Sequence, residues 1–327
     1  MAETVRAAGI DCGTNSIRLL IADVDPEAGR LKDVARLMEI VRLGKDVDRT
    51  GWFAPDSLER TLAAVARFGQ LCRRERVAKL RFVATSATRD AANRNVFLDG
   101  VRAELGVEAE VIDGLEEAYL SFSGARTALP PGLEQPYLCV DLGGGSTELV
   151  LGGAEPAFAY SMDVGCVRVT ERYLRSDPPT SFEIQAAASA VDQVLDAAGR
   201  HVPLGEAATL IGLAGSITTI TAHALGLERY DSERIDGAVL TVDQTLRSCE
   251  ELWQAARAVR SRLGFMHPGR VDVIGAGALV WSRVLRRVRL EVEAAGGRLE
   301  RVVTSEHDIL DGIALAAARA ENRDFCL

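Results

Sequence analysis

Apolar and polar positions along the chain alternate between short runs with the two-residue period of strands and longer runs with helical spacing. VRAAGI (Val5–Ile10) and YLCV (Tyr137–Val140) are apolar stretches that read as buried strands, and each runs into further β-rich sequence. Residues 30–43 read as another strand. Pro55–Arg76 places Leu58, Leu62, Val65, Phe68 and Leu71 on one face, which predicts an amphipathic helix. A strand over Lys79–Ala84, a helix over 87–104, a strand over Ala109–Ile112 and a helix from about Leu115 to Arg126 follow. LPPGLEQP then breaks the pattern with Pro130, Pro131 and Pro136, which marks a domain boundary. The second half restarts with strands over 137–141, 146–151 and 157–163. Thr180 with Glu183, and Thr241 with Gln244, have the spacing of capping boxes and open two helices. Thr209–Leu213 reads as a strand leading through AGS into a helix, Val271–Val288 as a helix, Val302–Thr304 as a strand and His307–Ala320 as a last helix. Alternation of this kind predicts an α/β fold with mixed sheets.

An internal repeat lies over this pattern. DCGTNSIRLLI (Asp11–Ile21) and DLGGGSTELVL (Asp141–Leu151) align without a gap, matching Asp11 to Asp141, Gly13 to Gly143, Ser16 to Ser146 and Leu19 to Leu149. Repeats separated by about one domain point to a duplicated architecture. At 327 residues the chain has room for two domains.

Composition narrows the function classes. A net charge of −9 argues against a nucleic-acid-coating protein, so a polyanionic ligand would have to be met by a local cationic site or a metal. The basic runs Arg73–Arg74–Arg76 and Arg283–Arg286–Arg287–Arg289 lie on predicted helices and read as solvated faces. The six cysteines (Cys12, Cys72, Cys139, Cys166, Cys249 and Cys326) show no metal-ligand spacing, which predicts reduced thiols in the cytoplasm. Neither a signal peptide nor a membrane span is expected.

The repeated loops carry the candidate chemistry. A strand, a Gly/Ser/Thr turn and a second strand can aim several backbone N–H groups into one anion-binding concavity. That makes Gly13, Thr14, Asn15 and Ser16, with Gly143, Gly144, Gly145 and Ser146, candidate phosphate-binding residues. The three glycines remove Cβ atoms, which lets the backbone approach phosphate oxygens and adopt positive φ. The pattern is neither a Walker A loop nor a dinucleotide fingerprint, because a strand follows each turn. Asp141 and Glu148, with Asp11 as a further candidate, are hard carboxylates suited to Mg²⁺. Arg18 and Arg89 are candidate phosphate clamps, since arginine offers a bidentate fork. Gly215 and Ser216 open a predicted helix whose N-terminus suits an anion, and Arg270 is a further candidate. The glycines of HPGRVDVIGAGA equally suit tight helix–sheet packing. Glu116 and Glu117 sit at a helix start, where the dipole alone accounts for carboxylates.

These residues taken together resemble the exopolyphosphatase / guanosine pentaphosphate phosphohydrolase (Ppx/GppA) family, in a short two-domain form, part of the actin–sugar kinase–Hsp70 superfamily. The matching segments are DCGTNSIRLLI, RLGKDVD, VATSATRDAANR, GLEEAYLSF, DLGGGSTELVLG, GLAGSITT, HPGRVDVIGAGA and SEHDILDGI, in family order along nearly the whole chain. The resemblance implies two ribonuclease-H-like domains with mixed sheets around a central cleft, over residues 1–128 and 129–312, with a C-terminal helix in 313–327 packing back on the first. It makes Glu117 the catalytic residue, Asp141 and Glu148 metal ligands and Ser146 a phosphate-binding serine, with Mg²⁺ or Mn²⁺ as the cofactor. Larger members continue into a further helical region implicated in holding long polymer, which has no counterpart in these 327 residues. The implied activity is removal of terminal phosphate from inorganic polyphosphate. Hydrolysis of the 5′ γ-phosphate of guanosine pentaphosphate (pppGpp), in the stringent response, uses the same chemistry. An ATP-dependent kinase and a non-catalytic polyphosphate or alarmone sensor are the other readings, and the Glu117 element argues against both. No nucleic-acid or membrane partner is expected, and a homodimer is compatible with the resemblance.

Overall fold

In the computed structural model, which describes residues 4–321 and Phe325, the chain divides into two units. One comprises residues up to Thr127 with those from His307 onward, and the other Ala128–Glu306.

The first unit is built on β1 (Val5–Cys12), β2 (Ser16–Asp25), β3 (Arg30–Ile40), β4 (Lys79–Ala84) and β5 (Ala109–Val111), in the order β3-β2-β1-β4-β5. The first three form an antiparallel meander, and β4 and β5 run parallel to β1. Alternation assigns the residues to two faces. Ala8, Ile10, Ile17 and Leu19 pack with Val65 and Phe68 of helix Pro55–Arg74 and Phe97 of helix Arg94–Leu105. Ala7, Leu20, Ala22 and Val24 pack with Leu310, Ala314 and Leu315 of helix Ile309–Arg319. Burial on both faces is why β1 reads as a continuous apolar run.

Helix Ile309–Arg319 has 11 residues, and isolated helices below about 12–15 residues are marginal in water. Burial holds it, at about 1.5–3 kcal/mol for each large apolar side chain such as Leu310 and Ile313. Glycines permit the close approach: a Cβ on Gly312 would stand 2.1 Å from the Leu120 carbonyl oxygen, and one on Gly124 would stand 1.8 Å from that of Asp308. Asp308 caps the helix, accepting from Leu310 N–H at 3.0 Å, in a capping box with Asp311. Asp311 is fully buried and accepts from both Arg36 Nη atoms, at 2.5 and 3.1 Å, and lies 2.9 Å from His307 Nδ1.

The second unit contains β6 (Tyr137–Leu142), β7 (Thr147–Gly152), β8 (Pro156–Met162), β9 (Thr209–Leu213), β10 (Val239–Thr241) and β11 (Arg301–Thr304), in the order β10-β11-β9-β6-β7-β8. Its antiparallel meander β6-β7-β8 continues into parallel β9 and β11. Taken from β8, this repeats the pattern of the first sheet, with antiparallel β10 added at the edge. Leu138, Val140, Leu149 and Leu151 share one core with Val191 and Leu195 of helix Ser181–Ala198 and Trp281 and Leu285 of helix Ile274–Ala294.

Both capping boxes form at the residues expected. The helix expected over 87–104 is instead two, Ser86–Asp90 and Arg94–Leu105. Ala92 N–H, which a continuous helix would use, donates instead to Gly51 O, and the Asn93 side-chain amide exchanges hydrogen bonds with the Phe53 backbone, so tertiary partners fix the break. The helix expected at Val271 starts at Ile274 and extends to Ala294. Its basic run is paired more than solvated, with Arg283 on Asp192, Arg287 on Asp196 and Arg289 on Asp243. Five cysteines are buried and free, and Cys326 lies outside the described residues. Among the described residues no helix is long and apolar enough to cross a membrane.

Burial by itself would push the Asp311 carboxyl up, but hydrogen bonds from His307 and Arg36 outweigh it and hold the group at about 2, below its ordinary 3.8. A depressed carboxylate contributes stability that is present above its unfolded pKa and lost as pH falls through its folded one. Asp311 should therefore contribute roughly 2 kcal/mol near neutrality, lost between pH 3.8 and about 2. Urea unfolding across this range should show that loss in the wild type and its absence in Asp311→Asn, which starts from a lower stability at neutral pH.

Candidate active site

In the first unit the carboxyl ends of three parallel strands carry the candidate residues, the usual place for ligand groups in α/β sheets. The loop after β1 closes with Gly13 N–H donating to Ser16 O at 3.0 Å. Beside it, Thr85 N–H donates to Cys12 O, and the Thr14 and Ser86 hydroxyls meet at 2.9 Å. Helix Ser86–Asp90 then carries Arg89. The Asp113 side chain caps helix Gly114–Arg126 by accepting from Leu115 and Glu116 N–H, which sets both glutamates in the first turn. The two glutamates part there. Glu116 joins Arg81, which also holds Glu110, whereas buried Glu117 accepts from Arg89 Nη1 at 2.8 Å. Arg89 Nη1 also donates to Ile112 O, and among the described residues its Nε and Nη2 have no partner.

Asp11 stands directly opposite Arg18 in the β1–β2 register. Arg18 donates to Asp11 Oδ2 from Nε at 2.9 Å and from Nη2 at 2.7 Å, and from Nη1 to Asp308. Burial pushes the Asp11 carboxyl up, against the pull of Arg18, and the net displacement is upward. Arg18 is therefore shared by two carboxylates.

In the second unit the loop after β6 closes identically, with Gly143 N–H donating to Ser146 O at 3.0 Å. Among the described residues the left-handed glycines lie elsewhere, so the positive φ expected at Gly143, Gly144 and Gly145 does not occur. Close packing is the requirement here: Gly165 lies so near that a Cβ on it would stand 2.5 Å from the Gly144 carbonyl carbon and oxygen. The N–H groups of Gly144, Gly145 and Ser146, like those of Thr14 and Asn15, have no intramolecular partner among the described residues. Asp141 stands directly opposite Glu148, and Glu148 opposite Ser161, whose hydroxyl donates to Glu148 Oε1 at 2.7 Å. Asp141 is also in register with Leu213 of β9, which brings the turn into helix Ala214–Ala224 alongside. Ala214 adopts φ 69°, an uncommon left-handed conformation for a residue with a side chain. Arg270 lies over that turn, with Nη1 donating to Thr219 Oγ1 at 3.3 Å. A Cβ on Gly215 would stand 2.1 Å from Arg270 Nη2. Buried Ser216 hydrogen-bonds the Cys166 thiol, whose pKa burial raises.

Sequence comparison places this arrangement. The profile of the Ppx/GppA phosphatase family matches residues 20–300. The chain belongs to this family. Exopolyphosphatase 2 of Mycobacterium tuberculosis is 48% identical over 320 residues, spanning 96% of this chain and 98% of that protein. The crystal structure of an exopolyphosphatase-like protein, 47% identical, superposes with a TM-score of 0.94 over 97% of this chain and 98% of its own. A Ppx/GppA family member from Aquifex aeolicus, 28% identical, gives 0.78 over 98% and 99%.

For this Ppx/GppA chain, sequence reasoning missed the role of the segments that follow β3 and β8. Val41 and Arg42 N–H donate to Asn15 O, and Gly44 N–H to Thr14 O. Cys166 N–H donates to Gly143 O, and Val167 and Arg168 N–H to Gly144 O. Both segments tie down loop carbonyls; the first overlaps the matching segment RLGKDVD, whose role its residues did not reveal, and the hint for the second is that it follows the third strand of its repeat. Among the described residues no group of three or more His, Cys, Asp or Glu side chains could cage a metal. Asp141 and Glu148, opposite each other in register, are hard carboxylates that could hold a cation which keeps most of its water.

Gly215→Ala should displace the Arg270 guanidinium and weaken inorganic phosphate binding roughly tenfold, measured by titration calorimetry, with the unfolding midpoint as a folding control.

Proposed function

We propose that this chain is an exopolyphosphatase, which hydrolyses the terminal phosphoanhydride of inorganic polyphosphate and releases orthophosphate. The near-full-length likeness to Exopolyphosphatase 2 carries the substrate. The duplicated loops and the Arg89–Glu117 pair support the chemistry. In the first unit, Glu117 takes a proton from a water as its oxygen bonds to the terminal phosphorus. The bond from that phosphorus to the bridging oxygen breaks, and the electron pair leaves with the shortened polyphosphate. Arg89 orients the base through Nη1 and offers its Nε and Nη2 to a phosphate oxygen. In the first unit the N–H groups of Thr14 and Asn15, which have no intramolecular partner among the described residues, are donors for non-bridging oxygens; in the second unit those of Gly144, Gly145 and Ser146 are donors of the same kind, with Ser216 and Arg270 on the neighbouring turn. Arg18 holds Asp11 in place. Phosphoryl transfer asks a protein mainly for positioning and electrostatics, which such donors supply.

Asp141 and Glu148 would hold Mg²⁺ or Mn²⁺, which supplies neutralising charge to phosphate when bound. Five buried free thiols accord with a reducing, cytoplasmic setting.

Glu117→Gln should lose about 10²–10⁴-fold in kcat while still binding inorganic phosphate; near-wild-type orthophosphate release would remove Glu117 from this role. Chelation should abolish turnover and added Mg²⁺ or Mn²⁺ should restore it. Orthophosphate release from short polyphosphate, long polyphosphate and pppGpp at matched concentrations tests the substrate, with pppGpp expected to be the poorest.

A further inference from the structure

A peptide group is planar, and its C=O and N–H point in opposite directions. Fixing the carbonyl of one residue therefore aims the N–H of the next. In the glycine loop of the second unit, three consecutive peptides are fixed this way. The Gly143 carbonyl is held by Cys166 N–H at 3.0 Å, which aims the N–H of Gly144. The Gly144 carbonyl is held by Val167 N–H at 2.8 Å and Arg168 N–H at 3.2 Å, which aims that of Gly145. The Gly145 carbonyl accepts from Arg168 Nε at 2.8 Å, which aims the N–H of Ser146. Backbone donors secure the first two peptides, and a side chain secures the third. In the first unit the corresponding loop is held at Thr14 and Asn15 by backbone N–H groups. Glycine allows the Gly145–Ser146 peptide to rotate at low cost, so an unheld loop would sample orientations that turn a donor away from the ligand.

We propose that Arg168 is a positioning residue, which locks the Gly145–Ser146 peptide so that three successive N–H groups converge on one phosphate group. The proposal rests on the phosphate-hydrolase reading of the loop. Arg168 acts through the loop and not on the reacting atoms, so its loss should act on ligand binding before it acts on folding.

The test compares Arg168→Met, which keeps the apolar stem without a donor, with Arg168→Lys, which retains one. Inorganic phosphate binding by calorimetry, kcat and KM on short polyphosphate, and the urea unfolding midpoint are measured for each. Arg168→Met should weaken phosphate binding roughly tenfold and raise KM by a similar factor, with an unchanged unfolding midpoint, and Arg168→Lys should recover most of the loss. Wild-type phosphate affinity in Arg168→Met would overturn the proposal. So would a loss that tracks a fall in the unfolding midpoint and is not recovered by lysine, or a wild-type chain that binds no phosphate. A wild-type chain that binds phosphate yet leaves polyphosphate intact would sink the hydrolase reading and leave the positioning role standing on the calorimetry.

Discussion

Antiparallel register is the constraint on which both halves of this molecule depend. Residues directly opposite in two hydrogen-bonded strands share a face at about 5 Å, so the residue across from the leading aspartate is a close neighbour of it. Across from Asp11 stands Arg18, and across from Asp141 stands Glu148. One hairpin with a single strand–turn–strand geometry thus yields a neutralised pair in one unit and sets two carboxylates opposite each other in the other.

The neutralised pair has a structural consequence. Arg18 has donors beyond those Asp11 occupies, and one goes to Asp308, the cap of helix Ile309–Arg319. The last helix is thereby tied to the first hairpin through a half-buried arginine, while Arg36 and His307 hold Asp311 three residues on. Gly124 and Gly312 bring the backbones close enough for these short contacts. The end of the chain is part of the first unit because its start supplies both the apolar face and the guanidinium groups that receive it.

Backbone polar groups organise the loops as firmly as side-chain charges do. Buried carbonyls need partners, and in both copies the segment after the third strand supplies them, leaving the N–H edge of the loop without an internal acceptor among the described residues. An anion can take that place with little further ordering of the protein, which is the physical content of a preformed site.

Much of this was legible in the residues alone. The gapless match of Asp11–Ile21 with Asp141–Leu151 carries the hairpin geometry, because register follows directly from turn length and alternation. The capping boxes at Thr180 and Thr241 are equally local, since a side chain reaching three residues along the chain needs no distant partner. What the residues did not reveal is where long-range partners stand. Spacing could not separate Glu116 from Glu117, because Arg81 and Arg89, which part them, arrive from elsewhere in the sequence. Nor could it split the helix at Ala91–Asn93, which breaks to serve the backbone at Gly51–Phe53. Arg18 read as an arginine available for phosphate until Asp308, 290 positions away, was seen to share it. Local pattern determined the elements, the repeat and the candidate donors. The partner of each charged or polar group was decided only by the tertiary structure, because folding brings together groups whose separation along the chain carries no local signal.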